Sequence, residues 1–226
     1  MKRLFCALLS LLLLCGTAAA EDAGTSNTLL YQGHASLRIR TKEGKIIYVD
    51  PYAGEGYDVP ADLILVTHNH YDHNKVKLIK KKNKGCKTIT YKEALKKGQY
   101  QTFDLGWVTV EAVQAGNNKN HSIKQCVGFV ITLSDGTTIY VTGDTSATDQ
   151  MKELGERNLD YAFIVCDGVY NMDMDEAIQC ANLINAKHSI PYHMAPGKLF
   201  DQQRADKFDV PTALILPAGE ELALEK

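Results

Sequence analysis

The sequence carries no surplus of charge. Its 25 Lys and Arg balance 27 Asp and Glu to a formal net charge of −2, so nucleic acid is not expected as a partner. It has no G-x-S-x-G segment, which leaves no serine nucleophile on a strand-to-helix elbow. None of its six cysteines forms a C-x-x-C pair, and metal ligation is assigned to none of them. It also lacks internal repeats, linkers and the compositional bias of disordered or fibrous chains. What remains is 226 residues, 45% of them hydrophobic, enough for one substantial domain with a core.

The first twenty residues differ in kind from the rest. Lys2 and Arg3 open them, Leu4 to Cys15 is almost unbroken apolar, and Ala18-Ala19-Ala20 precedes the acidic Glu21-Asp22. This is the layout of a cleaved secretory signal peptide over residues 1–20, followed by a domain over 21–226. The apolar run is short for a membrane span, so no stable span is expected after cleavage. The expected location is secreted or periplasmic. Leu14 before Cys15 is a poor residue for lipoprotein cleavage, so lipidation is disfavoured. Cys86, Cys126, Cys166 and Cys180 remain in the mature part, as disulfides or as buried thiols.

Strands are predicted at Leu29–Tyr31, Ser36–Arg40 and Ile46–Val49, and a continuous apolar strand at Ala61–Thr67. Further strands are predicted at Trp107–Ala115, Cys126–Leu133, Thr138–Thr142, Leu159–Cys166, Ser189–Tyr192 and Thr212–Leu216. Helices are predicted at Asn74–Lys84, at Asp175–Asn185 and within Leu199–Phe208. Sheets packed together with helices outside fit this order. Lys75, Lys77, Lys80, Lys81, Lys82, Lys84 and Lys87, extended by Lys92, Lys96 and Lys97, read as a solvated helix face. The alternative for these lysines is attraction of an anionic substrate or surface.

Three of the seven histidines fall in one window, His68-Asn69-His70-Tyr71-Asp72-His73, at the end of the strand 61–67. Neutral imidazole and carboxylate are good ligands for a divalent metal, with Zn–N near ~2.0–2.1 Å. Two histidines two apart can share one cation, and the Asp-His pair that follows can serve a second.

This window resembles the H-x-H-x-D-H signature of the metallo-β-lactamase superfamily. Other segments are similar to its ascorbate-6-phosphate-lactonase-like branch: Gly33-His34-Ala35-Ser36, Asp50-Pro51, Val127–Ile131, Gly143-Asp144-Thr145, Tyr170–Asp173 and Pro191-Tyr192-His193-Met194. The resemblance implies an α+β fold, an αββα sandwich of two mixed β-sheets with helices on the outer faces. It implies that His68, His70 and His121 bind a first metal. Asp72, His73 and His193 would bind a second, and Asp144 would bridge the pair. It places His34 near the pocket as a substrate contact or an orienting partner, with a hydrogen-bonded core histidine as the alternative. No match reaches His188, which is read as structural.

The implied function is an exported hydrolase with two divalent ions, zinc first and manganese or iron next, that turns water on a small ester, lactone or phosphodiester. Asp72 would be both ligand and proton acceptor. The rivals are a non-catalytic metal- or ligand-binding protein of the same fold, and a β-lactamase or nuclease of the same superfamily. The superfamily's redox branch has Glu where this chain has His70, which argues against reduction of dioxygen or nitric oxide.

Overall fold

The computed structural model describes residues 26–226. The expected signal peptide and the mature start near Glu21 lie outside the described residues. Strands β1 (Asn27–Gly33), β2 (Ser36–Arg40), β3 (Ile46–Val49), β4 (Ala61–Val66) and β5 (Lys82–Thr90) come first. Helix α1 (Tyr91–Ala94) and the small hairpin of β6 (Leu95–Lys96) and β7 (Gln99–Tyr100) lead to β8 (Thr102–Asp104). Strands β9 (Val108–Gln114), β10 (Val127–Leu133) and β11 (Thr138–Val141) follow. The chain closes with α2 (Gln150–Gly155), β12 (Tyr161–Val165), α3 (Met174–Ile184), β13 (His188–Tyr192), α4 (Gln202–Ala205) and β14 (Glu221–Leu224).

The strands form two six-stranded mixed sheets, ordered β14-β1-β2-β3-β4-β5 and β13-β12-β11-β10-β9-β8. Each combines antiparallel pairs with two parallel ones, β3–β4 and β4–β5 in the first, β11–β12 and β12–β13 in the second. Leu37, Val49 and Leu65 of one sheet join Phe129, Val141 and Phe163 of the other in one buried core. The second sheet is also covered outside by α3, whose Ala177, Cys180, Ala181 and Ile184 repeat at helical spacing and are buried. Asp173 caps α3 by accepting from the Glu176 amide at 2.9 Å, and Asn185 ends it in the left-handed region. This is the expected α+β sandwich of two mixed sheets, although the expected outer helical layer is present on the second sheet and not on the first.

Three of the predicted elements differ from expectation. Asn74–Lys84 is not a helix: it holds one 3-10 turn, Val76–Leu78, and then enters edge strand β5. The parallel edge of β4 takes this segment up, pairing Leu63 to Val66 with Lys87 to Thr90, and that pairing overrides the helical spacing of Val76, Leu78 and Ile79. The outer face of the first sheet (Ile46, Tyr48, Ile64, Val66) is therefore covered by Tyr57, Val59, Val76 and Ile79 from loops and that turn. Thr212–Leu216 is not a strand and contributes only the isolated bridge of Ala213 to Ser189. The helix in Leu199–Phe208 shrinks to α4. Among the described residues, no helix is long and apolar enough to cross a membrane.

Candidate metal centre

The parallel strands of both sheets end at one place. Asp50 follows β3, Thr67-His68 follow β4, Asp144 follows β11 after Thr142-Gly143, Asp167 follows β12 and His193 follows β13. Ligands gather outside such carboxyl ends because loops there leave the strand direction together.

The structure brings all eight sequence-predicted site residues into two adjoining groups. His68, His70, His121 and Asp144 form one, and His34, Asp72, His73 and His193 the other; within each, one donor atom per residue lies within 4.8 Å of the rest. Asp144 sits between them. Its Oδ2 is 3.2 Å from His121 Nε2 and 3.9 Å from His68 Nε2, and its Oδ1 is 3.3 Å from His73 Nε2 and 3.6 Å from His193 Nε2. In the first group His70 Nδ1 is 3.2 Å from His121 Nε2, and in the second His34 Nε2 is 3.2 Å from Asp72 Oδ2.

Behind these groups lies a layer that fixes which ring nitrogen faces inward. Asp50 accepts from the Thr67 amide at 2.7 Å, from the Thr67 hydroxyl at 2.6 Å and from His73 Nδ1 at 2.8 Å. With its proton given to Asp50, the Thr67 hydroxyl oxygen is left to accept from His68 Nδ1 at 3.1 Å. Both imidazoles thereby carry their protons on Nδ1 and turn the bare Nε2 towards Asp144, a tautomer assignment that follows from the partners. Asp167 Oδ2 lies 3.7 Å from His193 Nδ1. Sequence reasoning missed the roles of Asp50, Thr67 and Asp167. Asp50 was noted only as part of a strand-ending Asp-Pro, and Asp167 shares its signal: an acidic residue directly after a buried strand.

The inward-facing atoms fit a cation. His68 Nε2, His73 Nε2, His193 Nε2 and Asp144 Oδ1 are buried without a hydrogen-bond partner. Four such atoms converging on one space are a costly arrangement unless a positive charge satisfies them. Burial first, then the neighbouring His73, holds His68 well below the ordinary histidine pKa; burial also lowers His70 and His193. These three are neutral, the ligand form. Without a cation His73 is raised well above its ordinary value, because Asp144 and Asp50 outweigh the opposing effect of burial; a cation at Nε2 would take the place of the second proton and leave the Nδ1 tautomer. Asp144 and Asp72 are lowered despite burial, Asp144 chiefly by His193 and His73, Asp72 chiefly by its hydrogen bond to His34. The carboxylates thus stay ionised and call for positive charge. Asp144 and Asp72 together with neutral imidazoles suit a divalent ion.

His34 adopts φ +56° in the β1–β2 turn, and its ring lies 3.8 Å from the His193 ring. Its carbonyl accepts the His193 amide at 2.8 Å and its amide donates to Leu199 O at 2.7 Å. It is buried and hydrogen-bonded, and its Nε2 meets Asp72 at the edge of the site. His188 stacks on Tyr161 at 5.0 Å between ring centroids, as a structural histidine does. Cys86, Cys126, Cys166 and Cys180 are unpaired, and burial pushes Cys126, Cys166 and Cys180 up to about 12. They are thiols, not ligands.

A family model described as a beta-lactamase superfamily domain matches residues 28–193. The chain belongs to the metallo-β-lactamase superfamily. A UPF0173 metal-dependent hydrolase from Geobacillus sp. is 33% identical to this superfamily member over 189 residues, 72% of this chain and 83% of the relative. One from Bacillus cereus is 28% identical over 228 residues, 86% of this chain and 98% of the relative. The crystal structure of a candidate metal-dependent hydrolase from Parabacteroides distasonis superposes with a TM-score of 0.67 at 26% identity, covering 81% of this chain and 90% of that one. Igni18, a metallo hydrolase from Ignicoccus hospitalis, shares the fold with a TM-score of 0.69 at 19% identity, covering 89% and 100%. This superfamily member is a metal-dependent hydrolase.

Proposed function

We propose that the protein is an exported dinuclear zinc hydrolase acting on a small ester, lactone or phosphodiester. The observation that carries this reading is the Asp144 carboxylate, which turns one oxygen to His68 and His121 and the other to His73 and His193. A carboxylate so placed is suited to bridging two cations. His68, His70 and His121 would complete one site, and Asp72, His73 and His193 the other. Imidazole and carboxylate donors favour zinc, with manganese and iron the next candidates. Two such cations supply Lewis acidity, which makes water a nucleophile at neutral pH and stabilises a developing oxyanion.

The chain's own residues do the rest. Asp50 and Thr67 hold His73 and His68 in the ligating tautomer. Asp72, ionised and held by His34, is placed to orient the attacking water and receive its proton. The arrangement of Lys2, Arg3, Leu4–Cys15 and Ala18–Ala20 supports export through a cleaved leader.

Metal analysis is expected to give two equivalents per chain. A chelator should abolish hydrolysis of a neutral lactone or of bis(4-nitrophenyl) phosphate, and zinc should restore it. Asp72→Ala is expected to keep the circular dichroism of the parent and lose about 100-fold or more in turnover. Two bound equivalents with no turnover across a broad panel would instead establish a metal-binding protein of the same fold.

A further inference from the structure

We infer that the part of the substrate that does not react is uncharged and carries a ring or other flat apolar body, gripped by Tyr71 and Tyr170. This rests on the hydrolase reading above and narrows its substrate class.

A cavity of about 490 Å³ opens over the metal centre, with His70, Asp72, His121, Asp144 and His193 at its base. That volume suits a small molecule rather than a polymer segment. Asn69, Tyr71, Asn120, Tyr170, Pro196 and Gly197 form its walls. Among the described residues, no lysine or arginine lines it. Lys119, beside Asn120, is exposed and lies outside the lining, and three other nearby cations are engaged elsewhere. Lys198 Nζ donates to Asp201 at 2.7 Å, and Arg204 donates to the carbonyls of Cys166 and Asp167 at 3.0 and 2.8 Å. Lys75 Nζ sits 4.3 Å from the centre of the Tyr52 ring. None of the lining residues offers a guanidinium or ammonium to a phosphate or carboxylate away from the scissile bond. Sites built for such groups supply one, because an anion removed from water needs a charged or multiply donating partner.

The walls offer aromatic faces instead. Tyr71 is 74% exposed and Tyr170 51%, high values for tyrosines beside a buried centre. Neither is loosely mounted. The Tyr71 ring packs edge-on against Tyr52, with centroids 5.8 Å apart. The Tyr170 amide donates to Asp167 Oδ1 at 2.7 Å and its carbonyl accepts from Asn120 Nδ2 at 3.0 Å. Two rings on fixed backbone, exposed to water at the mouth of a cavity, gain by covering an apolar partner. Asn120 adds a neutral amide for orientation. The reaction is ordinary hydrolysis: water's oxygen bonds to the acyl carbon, the carbon–oxygen bond to the leaving group breaks, and the leaving oxygen ends with a proton.

The test uses the full metal-loaded chain with three lactones: dihydrocoumarin, the same compound bearing a 6-carboxylate, and δ-valerolactone, which lacks the aromatic ring. Dihydrocoumarin is expected to be turned over with at least about tenfold higher kcat/KM than its carboxylate. Tyr71→Ala and Tyr170→Ala should raise KM for dihydrocoumarin about three- to tenfold and lower the preference for it over δ-valerolactone by a similar factor. Tyr71→Phe should restore the preference, since the ring and not the hydroxyl makes the contact. Preference for the carboxylate, or an unchanged preference in both alanine variants, overturns the inference. Calorimetric binding of the hydrolysis-resistant lactam 3,4-dihydroquinolin-2-one and its 6-carboxylate separates the two readings. If neither a lactone nor bis(4-nitrophenyl) phosphate is hydrolysed but the neutral lactam binds and Tyr71→Ala weakens it, the hydrolase reading falls while the cavity's preference for a flat uncharged body stands. If neither lactam binds, or the carboxylate binds better, this one falls.

Discussion

Thr67 shows how much of the centre is decided one atom away from it. Its hydroxyl gives its proton to Asp50 and receives the Nδ1 proton of His68, so one side chain sets the tautomer of an imidazole it precedes in sequence. Asp50→Asn removes one carboxylate oxygen from the trio of Thr67 amide, Thr67 hydroxyl and His73. The expected outcome is a loss of about 10–100-fold in metal affinity, read by competition with a chromogenic chelator. His121→Ala should leave one metal equivalent bound instead of two, measured by mass spectrometry under native conditions. His68, His70, Asp72 and His73 were legible in the sequence because they crowd into six residues at a strand end. Asp144 and His193 became legible only through resemblance, since a lone Asp or His in a loop has no pattern of its own. Asp50 and Asp167 were hidden for the same reason, and their purpose emerges only when parallel strands bring their ends together.

At the scale of elements, alternation and apolar runs placed β1 to β4 and β9 to β13 well, because their side chains face a dry core on one or both sides. β5 was misread. Most of its residues are exposed, and a segment with little to bury carries little periodicity; its partner β4 decides its shape. β14 was missed because it is short and pairs with β1 from the far end of the sequence. The packing of α2 on α3 gives a sharp test. A Cβ on Gly155 would lie 2.1 Å from the Leu183 carbonyl oxygen, which cannot move without disturbing the end of α3. Gly155→Ala is therefore expected to destabilise the fold by about 1–3 kcal/mol, seen as a lower midpoint in denaturant titration with an unchanged slope.

Over the whole molecule, charge is strongly segregated. Residues 75–97 hold ten lysines and one glutamate, in a chain with a formal charge of −2. All ten lysines are exposed, and among the described residues none takes part in an ion pair. Several lie on β5, the outermost strand of its sheet, where like charge on two copies would oppose pairing along the open backbone edge. Changing Lys82, Lys84 and Lys87 together to Val should produce concentration-dependent association by light scattering, and changing them to Glu should not. Stripping the metal should lower the melting temperature, since a cation at a hundredfold excess over its Kd adds about 2.7 kcal/mol per site. The two-sheet architecture was legible from the number and spacing of strands, whereas the thin cover over the first sheet was not. The strand ends that meet at Asp144 come from both sheets, and the donors run from His68 to His193. No early fragment of the chain contains a full coordination sphere. In a zinc finger the ion gathers a floppy peptide around itself; here the donors are set by strand ends and their buried partners, so a cation would meet a socket that the packing of two sheets has shaped.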